Sequence, residues 1–284
     1  MNDLQKCELE LLKYFIDICN KLNLRYYLVC GSALGAVKYG GFIPWDDDVD
    51  VALPRPDYEI FIKNAQRMLP SHVFLQNSMT DPQFPLIFSK LRNSNTTYIE
   101  EGHKKLNMHH GVYIDIFPLD GYPQNKEEIR KFEIEKGKYE RRRRVTLDYN
   151  RFQYITAIRT LGVFLLYKTF GFYKDTAKTI KRYNEFLSQY NVEESKLWCN
   201  HGNWQGELEY APKVQYGNGM RTKFEGLEVI VPEKYDEYLT QKYNAWRADI
   251  PREQQVGSHN YYRCDLKKPY TMYLKAKRKG KYEK

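Results

Sequence analysis

Residues 3–22 place apolar side chains at Leu4, Cys7, Leu11, Phe15, Ile18 and Leu22. Steps of three and four residues put them on one face of an amphipathic helix, which Asn2 or Asp3 can cap. Tyr26–Cys30 (YYLVC) then predicts a buried strand, broken by Gly31 and Ser32, and Ala33–Tyr39 a short helix. Gly40, Gly41 and Pro44 mark a loop, and Val49–Leu53 predicts a strand that Pro54 ends. A second amphipathic helix follows, with Tyr58, Phe61, Ile62, Ala65 and Met68 or Leu69 inward. Further strands are expected at 86–91, 96–100 and 112–117. From 126 to 190 the pattern turns helical, basic and aromatic, enough for two or three helices. Residues 196–220 lack periodicity and predict an ordered loop region. A strand is expected at 224–231, then a helix opened by Pro232 and running to Trp246. The basic last 15 residues predict a frayed end. The fold class expected is α+β (mixed α/β), a core sheet with flanking helices plus a mainly helical basic insertion. Its parts are a core over 1–122, a helical lobe over 123–195 and a loop-rich region over 196–284 that completes the core domain.

Composition narrows the partners more than the fold. The chain has 284 residues, 42% of them hydrophobic, so a packed core is expected rather than disorder. Its net charge of +9 favours anionic partners: nucleic acid, nucleotide phosphates or an anionic membrane surface. The 25 tyrosines suit wet grooves, since each has an apolar body and a polar tip. Five cysteines without metal-ligand spacing imply a reducing compartment. The N-terminal ten residues do not resemble a signal peptide. The most apolar stretch, Leu161–Tyr173, is too short to span a bilayer. A cytoplasmic protein, peripheral on the inner face of the membrane at most, is the expectation.

The chemistry concentrates in GSALGAVKYGGFIPWDDDVDVALPRPD, residues 31–57. Four aspartates fall within five positions, at 46, 47, 48 and 50. Packing does not explain them, because like charges repel and Asp is a poor strand former. Asp48 and Asp50 flank Val49, and side chains two apart in an extended segment share a face. Two carboxylates aimed at one point suit a hard dication, Mg²⁺ or Mn²⁺, that leaves room for substrate phosphates. Upstream, Gly31 and Ser32 between a strand and a helix can place backbone N–H groups around an anion. Asp115 is a lone charge in the apolar run Val112–Phe117, expensive to bury unless paired or metal-bound.

Apolar-Gly-Ser, Asp-apolar-Asp and a later apolar-Asp-apolar strand together resemble the nucleotidyltransferase superfamily. The longer string GSALGAVKYGGFIPWDDDVDVALPRPDYEIF resembles the LicD family, bacterial phosphocholine transferases that decorate cell-surface polysaccharides. It is similar also to the domain of fukutin-type ribitol-phosphate transferases. The resemblance continues through LRNSNTTYIE (91–100) and GVYIDIFPLD (111–120) and returns weakly at FEGLEVIVPEKYDEYL (224–239). Lys38 departs from it, standing where the family often has Arg; so does YNAW at 243–246. The resemblance implies transfer of a phospho-alcohol from a CDP-linked donor, CDP-choline or a related CDP-alcohol, to a sugar hydroxyl. Asp48, Asp50 and Asp115 would be the catalytic residues and metal ligands. Gly31, Ser32, Lys38, Asp46, Asp47 and Arg92 would bind the donor phosphates. Trp45, Trp198, Trp204, Tyr210 and His259 are candidates for the head group or acceptor, since quaternary ammonium is held by aromatic faces.

The acceptor expected is a cell-surface glycan, lipopolysaccharide or teichoic acid, or its lipid-linked precursor. Residues 138–182, basic at Arg141–Arg144 and then aromatic, can either dock on an anionic membrane or form a lobe that packs inward. His109 and His110 are expected to be plain loop histidines. The enzymatic alternative is nucleotidyl transfer to a small molecule, RNA or protein. A glycosyltransferase with an Asp-x-Asp motif fits less well, because it leaves the Gly-Ser turn and Asp115 unexplained. A nucleic-acid binder is disfavoured because the aspartates would repel phosphates.

Overall fold

The computed structural model describes residues 1–151, 175–203, 206–257 and 259–278. Helix α1 spans Asp3–Lys21, β1 Tyr27–Leu28, α2 Cys30–Tyr39, β2 Asp50–Pro54 and α3 Arg55–Met68. Strands β3 (Val73–Gln76), β4 (Ser89–Asn93), β5 (Thr97–Glu100) and β6 (Val112–Tyr122) follow. The basic region holds α4 (Lys126–Arg151) and α5 (Thr176–Leu187). Then come β7 (Leu197–Cys199), β8 (Tyr210–Pro212), α6 (Lys213–Tyr216), β9 (Met220–Phe224), β10 (Leu227–Val231), α7 (Tyr235–Tyr243), β11 (Tyr261–Asp265) and α8 (Thr271–Arg278). The class is mixed α+β, as expected.

The main sheet runs β1-β2-β6-β4-β3. Strand β6 is its axis, and all eleven of its residues are buried. It pairs parallel with β2, Asp50 opposite Asp115, and antiparallel with β4, Lys90 opposite Asp115. Beyond Leu119 it runs on to pair with β7, which pairs with β8, so the C-terminal region adds strands to the core sheet. A two-residue β1 suffices because its neighbour is fixed on the other side by β6.

Helices α1 and α3 cover the sheet, touching through Phe15 and Phe61, whose ring centroids are 5.1 Å apart. Helix α1 is capped by Asn2, which shares a reciprocal capping box with Gln5. It buries the expected Leu11, Phe15 and Ile18 and widens the face to Gln5, Glu8, Leu9, Leu12 and Cys19, while Leu4, Cys7 and Leu22 are only half-buried. Residue 35 must be glycine, because a Cβ there would meet the Gly41 carbonyl oxygen at 2.5 Å.

Several elements differ from expectation. Helix α2 begins at Cys30, so Gly31 and Ser32 form its first turn rather than a turn before it. Strand β3 and the exposed β11 carry no clear period in the sequence. The strand expected at 224–231 is half of a hairpin, turning at Glu225 and Gly226, both at positive φ. The ordered loop expected over 196–220 contains β7, β8 and α6. Of the segment 138–182, residues 152–174 lie outside the described residues. Among the described residues no helix is long and apolar enough to cross a membrane.

One buried ion pair ties α3 to β6. Arg55 donates from Nε and Nη2 to the two oxygens of Asp120, each at 2.6 Å, and the Asp120 side chain is fully buried. Arg55→Met strands that carboxylate, and we expect a loss of about 3–5 kcal/mol, read as a lower urea midpoint at unchanged slope.

Candidate active site

The sheet register builds the site. Asp50 on β2, Asp115 on β6 and Lys90 on β4 are opposite one another and form one row across three adjacent strands. The ladder locks the row: the Asp115 N–H donates to Val49 O at 2.8 Å, and the Val29 N–H donates to Asp50 O at 3.1 Å. Ser32 Oγ accepts from the Asp50 N–H at 2.9 Å and is itself buried. Ser32 therefore positions the aspartate. Lys90 Nζ lies 2.9 Å from Asp115 Oδ1 and 3.3 Å from the centroid of the Tyr113 ring. Glu100 on β5 holds Lys90 from the other side at 3.5 Å.

The extended segment before β2 delivers the remaining aspartates. Helix α1 pins it, with Gln5 Nε2 donating to Asp46 O at 3.0 Å and Ile43 O at 3.4 Å. A Cβ on Gly31 would come within 3.1 Å of Asp46 Oδ2, so α2 starts against that carboxylate. From the far end of the chain, His259 places Nδ1 2.9 Å from Asp47 Oδ1 and Nε2 3.6 Å from Asp48 Oδ2. Glu8 of α1 adds a buried carboxylate whose Oε2 has no hydrogen-bond partner.

Six carboxylates, Glu8, Asp46, Asp47, Asp48, Asp50 and Asp115, thus converge on Lys90 and His259. Their proton affinities show the shortage of positive charge. Burial, then Asp48 and Asp47, pushes Asp46 up to about 8. Burial raises Asp48 to about 6, with His259 opposing and Asp115 and Asp47 adding. Burial, then Asp48 and Asp115, holds Asp50 well above the ordinary carboxylate range. Burial raises Asp115 against the pull of Lys90, and burial followed by Asp48 raises Glu8 strongly. Burial alone would lower His259, but its bond to Asp47 and the charge of Asp48 outweigh that and lift it to about 9. Crowded hard oxygen donors and an orphaned carboxylate oxygen are the donor set that suits Mg²⁺ or Mn²⁺. Among the described residues the ligand atoms of Asp47, Asp48 and His259 lie within 4.8 Å of one another, while Asp50 and Asp115 face each other across β2 and β6.

Other expected site residues lie elsewhere. Arg92, expected to grip phosphate, is fully buried and donates to Gln76, Gly111 O and Glu100. Lys38 donates to the carbonyls of Trp246 and Ala248, holding that loop. Trp198 is buried and its indole N–H donates to Val192 O, so no head group reaches it. Tyr210 stacks on Tyr122 and donates to Glu133. Trp204 lies outside the described residues. Trp45, half-buried beside Asp46 and edge-on to Tyr39, is the expected aromatic that borders the carboxylates. His109 is a buried ring stacked on Phe74 rather than a plain loop residue. Sequence reasoning missed Glu8, Lys90 and Glu100.

Residues 23–158, which hold the whole row, match the family model described as LicD/FKTN/FKRP, nucleotidyltransferase domain. The chain carries a LicD-family domain. It is similar to the lipopolysaccharide cholinephosphotransferase LicD of Haemophilus influenzae, 26% identical over 259 residues that cover 88% of this chain and 92% of the relative. A shorter segment of 44 residues, 16% of this chain and 9% of the relative, is 41% identical to the human ribitol 5-phosphate transferase FKRP. The LicD-family segment stops before His259, which comes from outside the matched region.

Asp48 gives a pH test with a definite sign. Its folded pKa of about 6 exceeds the ordinary 3.8, so the folded state holds its proton longer. The stability this confers is present below pH 3.8 and is lost as pH rises through about 6. Without divalent ions, Asp48→Asn therefore gains on wild type as pH rises through that window, levelling off at up to about 3 kcal/mol. Urea unfolding of both proteins across the range checks it; a difference that is flat with pH contradicts it.

Proposed function

We propose that this protein transfers a phospho-alcohol, phosphocholine first among candidates, from a CDP-linked donor to a sugar hydroxyl. The acceptor is a cell-surface glycan or its lipid-linked precursor, and CMP leaves. The observation that carries the reading is the Asp50–Asp115–Lys90 row inside the LicD-family segment. The names of the relatives support it: one moves phosphocholine to lipopolysaccharide and the other transfers ribitol 5-phosphate.

In this reading Asp48, Asp50 and Asp115 would hold Mg²⁺ or Mn²⁺, which would neutralise charge on the donor diphosphate and its leaving group. The chain's own residues do the rest. The sugar oxygen forms a bond to the phosphorus of the phospho-alcohol. The phosphoanhydride bond breaks, and CMP departs with its electron pair. Asp115, kept charged by Lys90 at 2.9 Å, orients the attacking hydroxyl and takes its proton. His259, cationic through its bond to Asp47, faces the phosphates with Nε2. Trp45 offers its ring to the choline ammonium.

CMP release from CDP-choline, with Mg²⁺ and a glycan extract, tests the reading. We expect release by wild type and loss of at least about 10³-fold in Asp48→Ala, in line with losing a main electrostatic group. Release that survives in Asp48→Ala contradicts it. Turnover of free nucleotides with no CDP-alcohol turned over favours nucleotidyl transfer, which the family description also names. A second expectation is that Trp45→Ala raises KM for CDP-choline about tenfold while leaving CDP-glycerol nearly unchanged, as a lost cation–π contact would. Equal effects on both donors would remove Trp45 from head-group recognition.

A further inference from the structure

A cavity of about 360 Å³ opens beside the carboxylate row, between α4, α5 and the loop after β7. Residue 202 of that loop rests on two rings: a Cβ on Gly202 would approach both Phe117 and Phe88 to 2.7 Å. Phe117 is two residues along β6 from Asp115 and shares its face. At the rim, Asn203 donates to Cys30 Sγ at 3.0 Å, and Cys30 precedes the Gly31 that lies against Asp46. The cavity is therefore a neighbour of the reaction centre along the same sheet face.

Its lining is cationic. Lys136, Arg143 and Arg144 face it, and the acidic side chain among its described lining residues is Glu140, shared between both arginines. Glu133, outside the lining, partly offsets Lys136. Two further buried polar atoms lack a hydrogen-bond partner. Asn200 is buried, its Oδ1 accepts from the Gly202 N–H at 3.0 Å, and its Nδ2 has no partner. His201 Nδ1 faces Cys199 Sγ at 3.2 Å, while Nε2 has no partner. Burial keeps Cys199 a thiol, and burial with the charges of Lys136 and Arg55 keeps His201 neutral. With Nδ1 engaged by the thiol, Nε2 is the ring's remaining polar atom. Buried polar atoms left unpaired are unfavourable, so this pair, with the Asn200 amide as a donor, among three cations marks a place for a group from outside the chain.

We propose that this cavity is an anion subsite for the acceptor, taking a phosphate or carboxylate group carried by the glycan. That group anchors the acceptor so that its hydroxyl reaches the row of Asp50 and Asp115. The proposal rests on the transferase reading above for the identity of the anion's carrier, but not for the anion site itself. On the transferase reading the donor diphosphate would belong at the carboxylates, so it is not the occupant of this cavity. A choline ammonium is excluded by the sign of the lining.

The test separates the two claims. Inorganic phosphate is titrated into the full chain, labelled with ¹⁵N-histidine, in excess EDTA, so that the aspartates repel it. We expect a saturable shift of the His201 ring signals. Affinity should fall about tenfold or more in Arg143→Gln and in Arg144→Gln, the loss of one charge-assisted hydrogen bond. Arg144 carries the cleaner variant because its side chain is 72% exposed. No shift at His201, or wild-type affinity in both variants, overturns the anion site. Glucose 6-phosphate and glucuronate should compete with phosphate and glucose should not. Failure of both anionic sugars to compete overturns the acceptor role. Acceptor-independent CMP release should be the same in Arg144→Gln and wild type. Its loss in the variant alone would place Arg144 on the donor and overturn the assignment. A wild type that releases no CMP from any CDP-alcohol sinks the transferase reading, and the phosphate titration still decides the anion site.

Discussion

Everything at this site depends on one alignment of hydrogen-bonded strands. Parallel pairing of β2 with β6 sets Asp50 opposite Asp115, and antiparallel pairing of β4 with β6 sets Lys90 opposite the same aspartate. A slip of one residue in any of these would turn the carboxylates to the opposite face. The register is held by the apolar positions between them, Val51, Ile114 and Ile116, all fully buried. Hydrophobic burial thus fixes the position of groups that repel one another, and the repulsion remains as raised proton affinity.

Long-range contacts complete the site from both ends of the chain. Helix α1 supplies Gln5, which clamps the loop before the aspartates, and Glu8, which adds to their charge. His259 arrives from beyond β10 and closes on Asp47 and Asp48. Lys90 is neutralised from two sides, by Asp115 and Glu100, so it offsets one aspartate without cancelling the cluster. The net result is a negative centre flanked by a cationic cavity, inside a chain of net charge +9. On the proposed reading that arrangement would draw in phosphate-bearing substrates and favour a dication at the centre.

Much of this was legible in the sequence. Aspartates in apolar strands stand out because burial would otherwise reject them, and Asp48, Asp50 and Asp115 were readable on that ground. Strands β2 and β6 and helices α1 and α3 followed from period and length. The failures have physical causes. Arg92 and Lys90 alternate on one strand and look alike in sequence, yet Gln76 and Gly111 consume the first and the row of carboxylates holds the second. Glu8 was not singled out in the sequence, though the spacing Gln5, Glu8, Leu12, Phe15 and Cys19 is itself a helical stripe with two polar members. Trp198 and Tyr210 looked like exposed aromatics in a loop because β7 and β8 are three residues each and carry no period. Strand pairing between distant segments, which buries them, is not written locally.

The claim that Asp48, Asp50 and Asp115 form one dication site is tested most directly by Mn²⁺ binding, followed as loss of the free-ion EPR signal. Wild type and Asp115→Asn are compared at equal protein concentration, each verified as folded by circular dichroism. The account predicts saturable binding by wild type and a loss of affinity of at least about tenfold in the variant. Equal binding by the two proteins, or no binding by wild type even with CDP-choline present, would contradict it.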